Sequence, residues 1–161
     1  VDNTSLGIEH FFRELRYIYK IFISDYDKDS KIILDHVPIK ENILKLPEYC
    51  AELLTNGYTI ELLDSDSTAI SEDWFLAICN CIDKKFPNLR VFVISIIGLQ
   101  SSGKSTLLNA LFASKFSVSA GRCTRGCFVT LLFLKKDLSD QLDIDAFILI
   151  DTEGFAAPEK I

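Results

Sequence analysis

Three features of the 161-residue sequence predict an α/β fold. Apolar residues recur at helical spacing before residue 86, three short runs of β-branched and aromatic residues follow residue 90, and a glycine-bounded turn joins the first of those runs directly to a helix. The chain divides accordingly: residues 1–89 read as a helical segment, and residues 90–161 as the first half of a sheet with flanking helices.

In the first part, Ser5 is placed to cap a helix in which Leu6, Phe11, Phe12, Leu15, Ile18, Tyr19 and Phe22 make an aromatic packing face. The polar stretch SDYDKDSK at 24–31 ends it. A second helix is predicted over Pro47–Leu54, stopped by Asn56 and Gly57, which tolerate a left-handed turn. Tyr58–Leu63 reads as a short strand whose fourth and later residues would serve equally in a loop. The carboxylates Asp35, Asp64 and Asp66 lack the glycine and closing glutamate of a calcium loop, so LDSDSTAIS reads as a solvated turn. Ser71 then caps a third helix with Glu72 and Asp73 in its first turn and Trp74, Phe75, Ile78 and Ile82 along one side; Pro87 and Asn88 close it. His10 and His36 stand alone and carry no chemistry in this reading.

The second part opens on Val91–Ile97, a pattern expected of a strand buried on both faces. It is followed by Gly98, Leu99, Gln100, Ser101, Ser102, Gly103, Lys104, Ser105 and Thr106, which fit G-x-x-x-x-G-K-[ST]. Each residue type has a physical task. The glycines let the backbone curl so that its N–H groups converge on an anion, and the positive end of the helix that begins near Ser105 reinforces them. Lys104 is a compact cation for the β and γ phosphates of a nucleotide, and the Ser105 hydroxyl is a Mg²⁺ ligand. A merely structural turn needs neither the lysine nor the serine.

Downstream, a small and basic segment, SKFSVSAGRCTRGCF, leads to the strand VTLLFL; a polar loop, KKDLSDQLDID, leads to the strand AFILI. That loop is too short for a helical crossover, so the two strands are predicted to be antiparallel. The last run ends in Asp151, Thr152, Glu153 and Gly154, a D-x-x-G lying 53 residues after Gly98. At the tip of a strand such an aspartate can hold Mg²⁺ through a water, and the glycine N–H can bond a γ-phosphate. Thr124 lies between the two motifs, in the order expected of a threonine whose hydroxyl reaches the metal only when the γ-phosphate is present. The expected metal set is therefore Ser105, Thr124 and Asp151.

Composition excludes several alternatives. The net charge is −6, with 9 basic and 16 acidic side chains in residues 1–89 against 8 and 7 in residues 90–161. No basic cluster tracks a nucleic-acid backbone, so nucleic acid is not an expected partner. No apolar run approaches the roughly 20 residues of a transmembrane helix, and no leader or lipidation motif is visible. A chain that starts at Val1 and holds no methionine reads as an internal part of a longer protein. Five cysteines, Cys50, Cys79, Cys81, Cys123 and Cys127, show no metal or disulfide spacing and read as free thiols; Cys123 and Cys127 flank the loop nearest the nucleotide, where a redox-sensitive thiol is one reading.

With these residues in hand, GLQSSGKSTLLN, SAGRCTRG and LIDTEGFAAPE resemble the G domain of the very large interferon-inducible GTPases, relatives of guanylate-binding proteins and dynamins. GYTIELLDSDSTAI and the tryptophan-containing helix resemble the segment before that domain. The resemblance implies a Ras-like sheet, GTP and Mg²⁺ as ligands, self-association through the nucleotide face of a larger protein, and a cytoplasmic location with the nucleus as a second compartment. By it, residues 98–106 match the first G motif, Thr124 the second, and Asp151 and Gly154 the third. The guanine-reading [NT]-K-x-D is absent from the 161 residues, so guanine over adenine rests on the resemblance. Phe155 stands where Ras-like proteins carry a water-orienting glutamine, and Ser101 where guanylate-binding proteins carry a loop arginine. The catalytic expectation is therefore a charge from Arg122 or Arg125, with Gln100 and Ser101 orienting groups and Thr124 completing the site. A nucleotide-gated scaffold with little turnover is the alternative, and an ATP-dependent phosphate-loop protein a third.

Overall fold

The computed structural model describes residues 8–26, 40–63, 71–99, 101–116 and 126–152. In chain order the elements are α1 (Ile8–Tyr26), α2 (Lys40–Leu44), α3 (Leu46–Thr55), β1 (Ile60–Leu63), α4 (Glu72–Lys85), β2 (Val91–Ile96), α5 (Lys104–Phe112), β3 (Cys127–Phe133), α6 (Lys136–Leu142) and β4 (Ala146–Thr152). The strands form one mixed sheet in the order β1-β3-β4-β2. β3 is antiparallel to both β1 and β4, as the short polar connection required of the second pair, and β4 runs parallel to β2 with Ile96 opposite Asp151. The α/β class and the partial Ras-like sheet expected from the sequence are both present.

Strand alternation sorts the core into two layers. On one face Val129, Leu131, Ala146 and Ile148 meet Phe12 of α1, Cys50, Ala51 and Leu54 of α3, and Trp74 and Ile78 of α4. On the other, Leu149, Phe147, Ile94, Ile96 and Phe128 meet Leu108 and Phe112 of α5, with buried Phe116 just beyond it. Residues before Arg90 thus supply both a strand of the sheet and the helices that cover one side of it.

Several expectations need correction. On α1, Phe12, Leu15, Tyr19 and Phe22 face inward with Arg16, whereas Phe11 and Ile18 are exposed; the apolar residues exceed what one helical face can bury. The same helix ends at Tyr26, inside the polar stretch at 24–31 that was expected to stop it. Ser71 stands at the start of α4, but its side chain makes no capping hydrogen bond, and its carbonyl accepts from Phe75 N–H at 3.1 Å. The polar loop after β3 contains α6, a two-turn helix that returns the chain to the same edge of its neighbour without crossing over. Asn56 and Gly57, by contrast, end α3 as expected, with Gly57 at φ +79°. Ser5, Leu6, Asp35, His36, Asp64 and Asp66 lie outside the described residues, as does the side chain of His10.

The largest correction concerns β2, expected to be buried on both faces. Among the described residues it is an edge strand, bonded to β4 alone; Phe92 is 55% and Val93 53% exposed on opposite faces. A regular strand edge with flanking apolar side chains is a template for pairing with another chain. The 161-residue chain by itself is therefore expected to self-associate with rising concentration, and Val93→Lys to shift it toward the monomer. Sedimentation velocity across a concentration series checks this; a wild-type chain that stays monomeric throughout would contradict it.

The far end of the sheet is closed by charge. Arg90 donates to Asp145 through Nη2 at 2.6 Å, Nε at 3.0 Å and its backbone N–H at 2.9 Å, and its Nη1 pairs with Asp143. Ser139 of α6 adds a 3.0 Å hydrogen bond to Asp145. The hydrogen bonds from Arg90 hold the Asp145 carboxyl well below the ordinary carboxylate range. Because the folded state lowers that pKa, whatever stability the contact lends is present above pH ~4 and is lost only as the pH falls further.

Candidate phosphate-binding site

The site lies at the opposite end of the sheet, where the parallel strands β2 and β4 finish side by side. After Ile96 the chain turns through Gly98 and Leu99 and enters α5 at Lys104. Ser101 at φ +58° and Gly103 at φ +81° are both left-handed, and such residues in a tight loop turn successive N–H groups toward one side. Ser101 carries this conformation at a cost that glycine does not bear. A Cβ on Gly103 would meet nothing within 4 Å, so the requirement for glycine there is its backbone angle.

Lys104 is only 8% exposed, which is unusual for a lysine. Its Nζ donates to the Leu99 carbonyl at 2.9 Å and contacts the Gly98 carbonyl at 3.4 Å, so the ammonium lies folded over the loop that precedes it. One helical position on, Ser105 Oγ donates to Asp151 Oδ2 at 2.5 Å. Asp151 is 1% exposed at the end of β4, and the helix start and strand end are thus joined by a short charge-assisted hydrogen bond. A hydroxyl and a carboxylate oxygen are hard donors of the kind Mg²⁺ prefers. Two such ligands with the remaining positions left to water and phosphate are how that ion is usually held. Among the described residues no group of three or more His, Cys, Asp or Glu side chains converges.

Of the residues expected from the sequence, Gly98, Leu99, Ser101, Ser102, Gly103, Lys104, Ser105 and Asp151 come together here. Thr106 follows on α5 with an exposed side chain. Gln100, Arg122, Thr124 and Gly154 lie outside the described residues, as do Arg125 and Phe155. Cys127 opens β3 opposite Thr152, but burial, aided by the Asp151 charge, pushes its thiol up to about 11. Burial thus disfavours the reactive thiolate at Cys127, and Cys123 lies outside the described residues.

Two supporting residues escaped the sequence reading. Asn109 of α5 donates to the Phe116 carbonyl and accepts from Phe116 N–H and Ser114 Oγ, each at 2.9 Å, pinning the chain that leaves the helix. Thr152 Oγ1 donates to the Ile96 carbonyl at 2.6 Å, tying β4 to the last residue of β2. The available signal was a polar residue inside an apolar helix in one case and a hydroxyl between two motif residues in the other.

Comparison with known proteins places the chain in company. The family described as URGCP-like GTPase domain matches residues 1–161. The mouse interferon-induced very large GTPase 1 is 41% identical over 159 residues, 99% of this chain and 6% of that protein. Bovine up-regulator of cell proliferation is 29% identical over 154 residues, 94% of this chain and 16% of that protein. Protein SEY1 homolog 2 of Paramecium tetraurelia is 38% identical over 68 residues, 42% of this chain and 8% of that protein. The chain therefore spans a small part of each relative's length.

Proposed function

The chain belongs to the URGCP-like GTPase domain family, and from that premise we propose that it binds GTP with Mg²⁺ through residues 98–106 and Asp151 and serves GTP hydrolysis in a larger protein. The observation that carries this reading is the joining of Ser105 to Asp151 at 2.5 Å directly behind a loop over which the Lys104 ammonium is folded. These three side chains and the loop amides supply what a triphosphate tail requires: converging N–H donors, a compact cation and two hard oxygens for its metal. Mg²⁺, when bound, neutralises developing charge on the phosphates. The remaining catalytic charge we assign to Arg122 or Arg125, with Gln100 and Ser101 orienting groups and Thr124 and Gly154 answering the γ-phosphate. Phe155, in place of a water-orienting glutamine, favours a second reading in which the domain binds GTP as a gated assembly module and turns it over slowly.

The test uses the full-length protein. Titration with GTP and ATP in Mg²⁺ is expected to show GTP bound the more tightly, and single-turnover phosphate release to fall by about 10²–10³-fold in whichever of Arg122→Ala and Arg125→Ala removes the charge. Unchanged release in both variants would leave the gated module standing. No affinity for any purine nucleotide would remove the whole reading.

A further inference from the structure

We propose that Thr152 is a positioning residue that keeps the Asp151 strand in register with the root of the phosphate loop while the site is loaded; this rests on the nucleotide reading above. Three side-chain contacts link the end of β4, the start of α5 and the exit from β2. Ser105 Oγ reaches Asp151 at 2.5 Å, Lys104 Nζ reaches the Leu99 carbonyl at 2.9 Å, and Thr152 Oγ1 reaches the Ile96 carbonyl at 2.6 Å. The first two are made by the groups that the reading assigns to metal and phosphate, so binding redirects both. The third uses neither. Thr152 therefore remains the side-chain tie at the open end of the β2–β4 ladder, just beyond the Ile96–Asp151 pair, when its companions are engaged elsewhere.

The geometry also says where the contact acts. Ile96 is the last residue of β2 and the register partner of Asp151, two residues before Gly98. A displacement of β4 past this point carries Asp151 away from Ser105 without altering the loop amides or Lys104. Loss of the Thr152 hydroxyl should consequently weaken only what depends on Asp151, namely the metal-dependent part of nucleotide retention.

The experiment measures dissociation of a fluorescent GDP from the full-length protein, in Mg²⁺ and in EDTA, for wild type, Thr152→Val, Thr152→Ala and Thr152→Ser. In Mg²⁺ the valine and alanine variants are expected to release it about tenfold faster, the scale of one hydrogen bond, and the serine variant within about twofold of wild type. In EDTA all four should release it alike. Equal acceleration in both buffers would mean general loosening and would overturn the proposal, as would no acceleration in Mg²⁺. The two variants lacking the hydroxyl check each other, since a valine-specific packing fault would not recur in alanine. A wild type that binds no nucleotide removes the reading of the site and this proposal together; a wild type that binds, with variants that do not differ from it, removes this proposal alone.

Discussion

Lys104→Ala is expected to lower affinity for Mg²⁺–GTP by about 10²–10³-fold while leaving the melting temperature nearly unchanged. The magnitude follows from what the ammonium does in each state. In the free protein it donates to the Leu99 carbonyl at 2.9 Å, on a residue 61% exposed, so water replaces the lost donor with little effect on stability. In the loaded site the same ammonium would meet two phosphate groups, and charge-assisted hydrogen bonds of this kind contribute about 1.5–3 kcal/mol each. Subtracting the contact surrendered in the free state leaves about 3–4 kcal/mol. Lys104→Arg is not expected to restore binding, because a planar guanidinium cannot take the place of a compact ammonium that is already almost wholly buried. Fluorescence titration beside a melting curve checks both; an alanine variant within threefold of wild type would mean that the loop does not hold phosphate.

This part of the molecule was legible because its chemistry is local. Glycines at 98 and 103, a lysine and a serine are needed within one turn of chain, and residue type plus spacing expresses that need. The antiparallel pairing of β3 with β4 was legible for a similar reason, since the length of the connection decides it. What remained hidden depends on distant neighbours. The apolar pattern of Val91–Ile96 describes a strand able to be buried, but whether anything lies beside it is a property of the sheet, and among the described residues β2 is an edge. The short helices α2 and α6 carry too few apolar residues for a period to be read, and Thr152 and Asn109 act through backbone atoms that no side-chain pattern records. Phe11 and Ile18 misled for the opposite reason: they fit the helical repeat yet lie outside the arc that the sheet covers.

Arg13→Met is expected to destabilise the folded chain by about 3–5 kcal/mol, the range measured when one partner of a buried ion pair is removed. Arg13 of α1 holds Glu61 of β1 in a two-point contact, Nη2 to Oε1 at 2.6 Å and Nε to Oε2 at 2.9 Å. The two partners differ in their access to water: the Glu61 side chain is 1% exposed and the Arg13 side chain 25%. Removing the arginine leaves a carboxylate with almost no solvent, whereas removing the glutamate leaves a guanidinium that water still reaches. Glu61→Gln should therefore cost less than Arg13→Met. The double replacement Arg13→Met with Glu61→Leu is expected to recover most of the loss, because apolar residues of similar size have no charge to desolvate. Urea denaturation of wild type, Arg13→Met, Glu61→Leu and the double variant supplies the cycle, with Glu61→Gln measured beside them. Since β1 pairs directly with β3, whose neighbour β4 ends at Asp151, a large effect at Arg13 would make α1 an integral support of the sheet that presents the site; an effect below 1 kcal/mol would make it a dispensable cover.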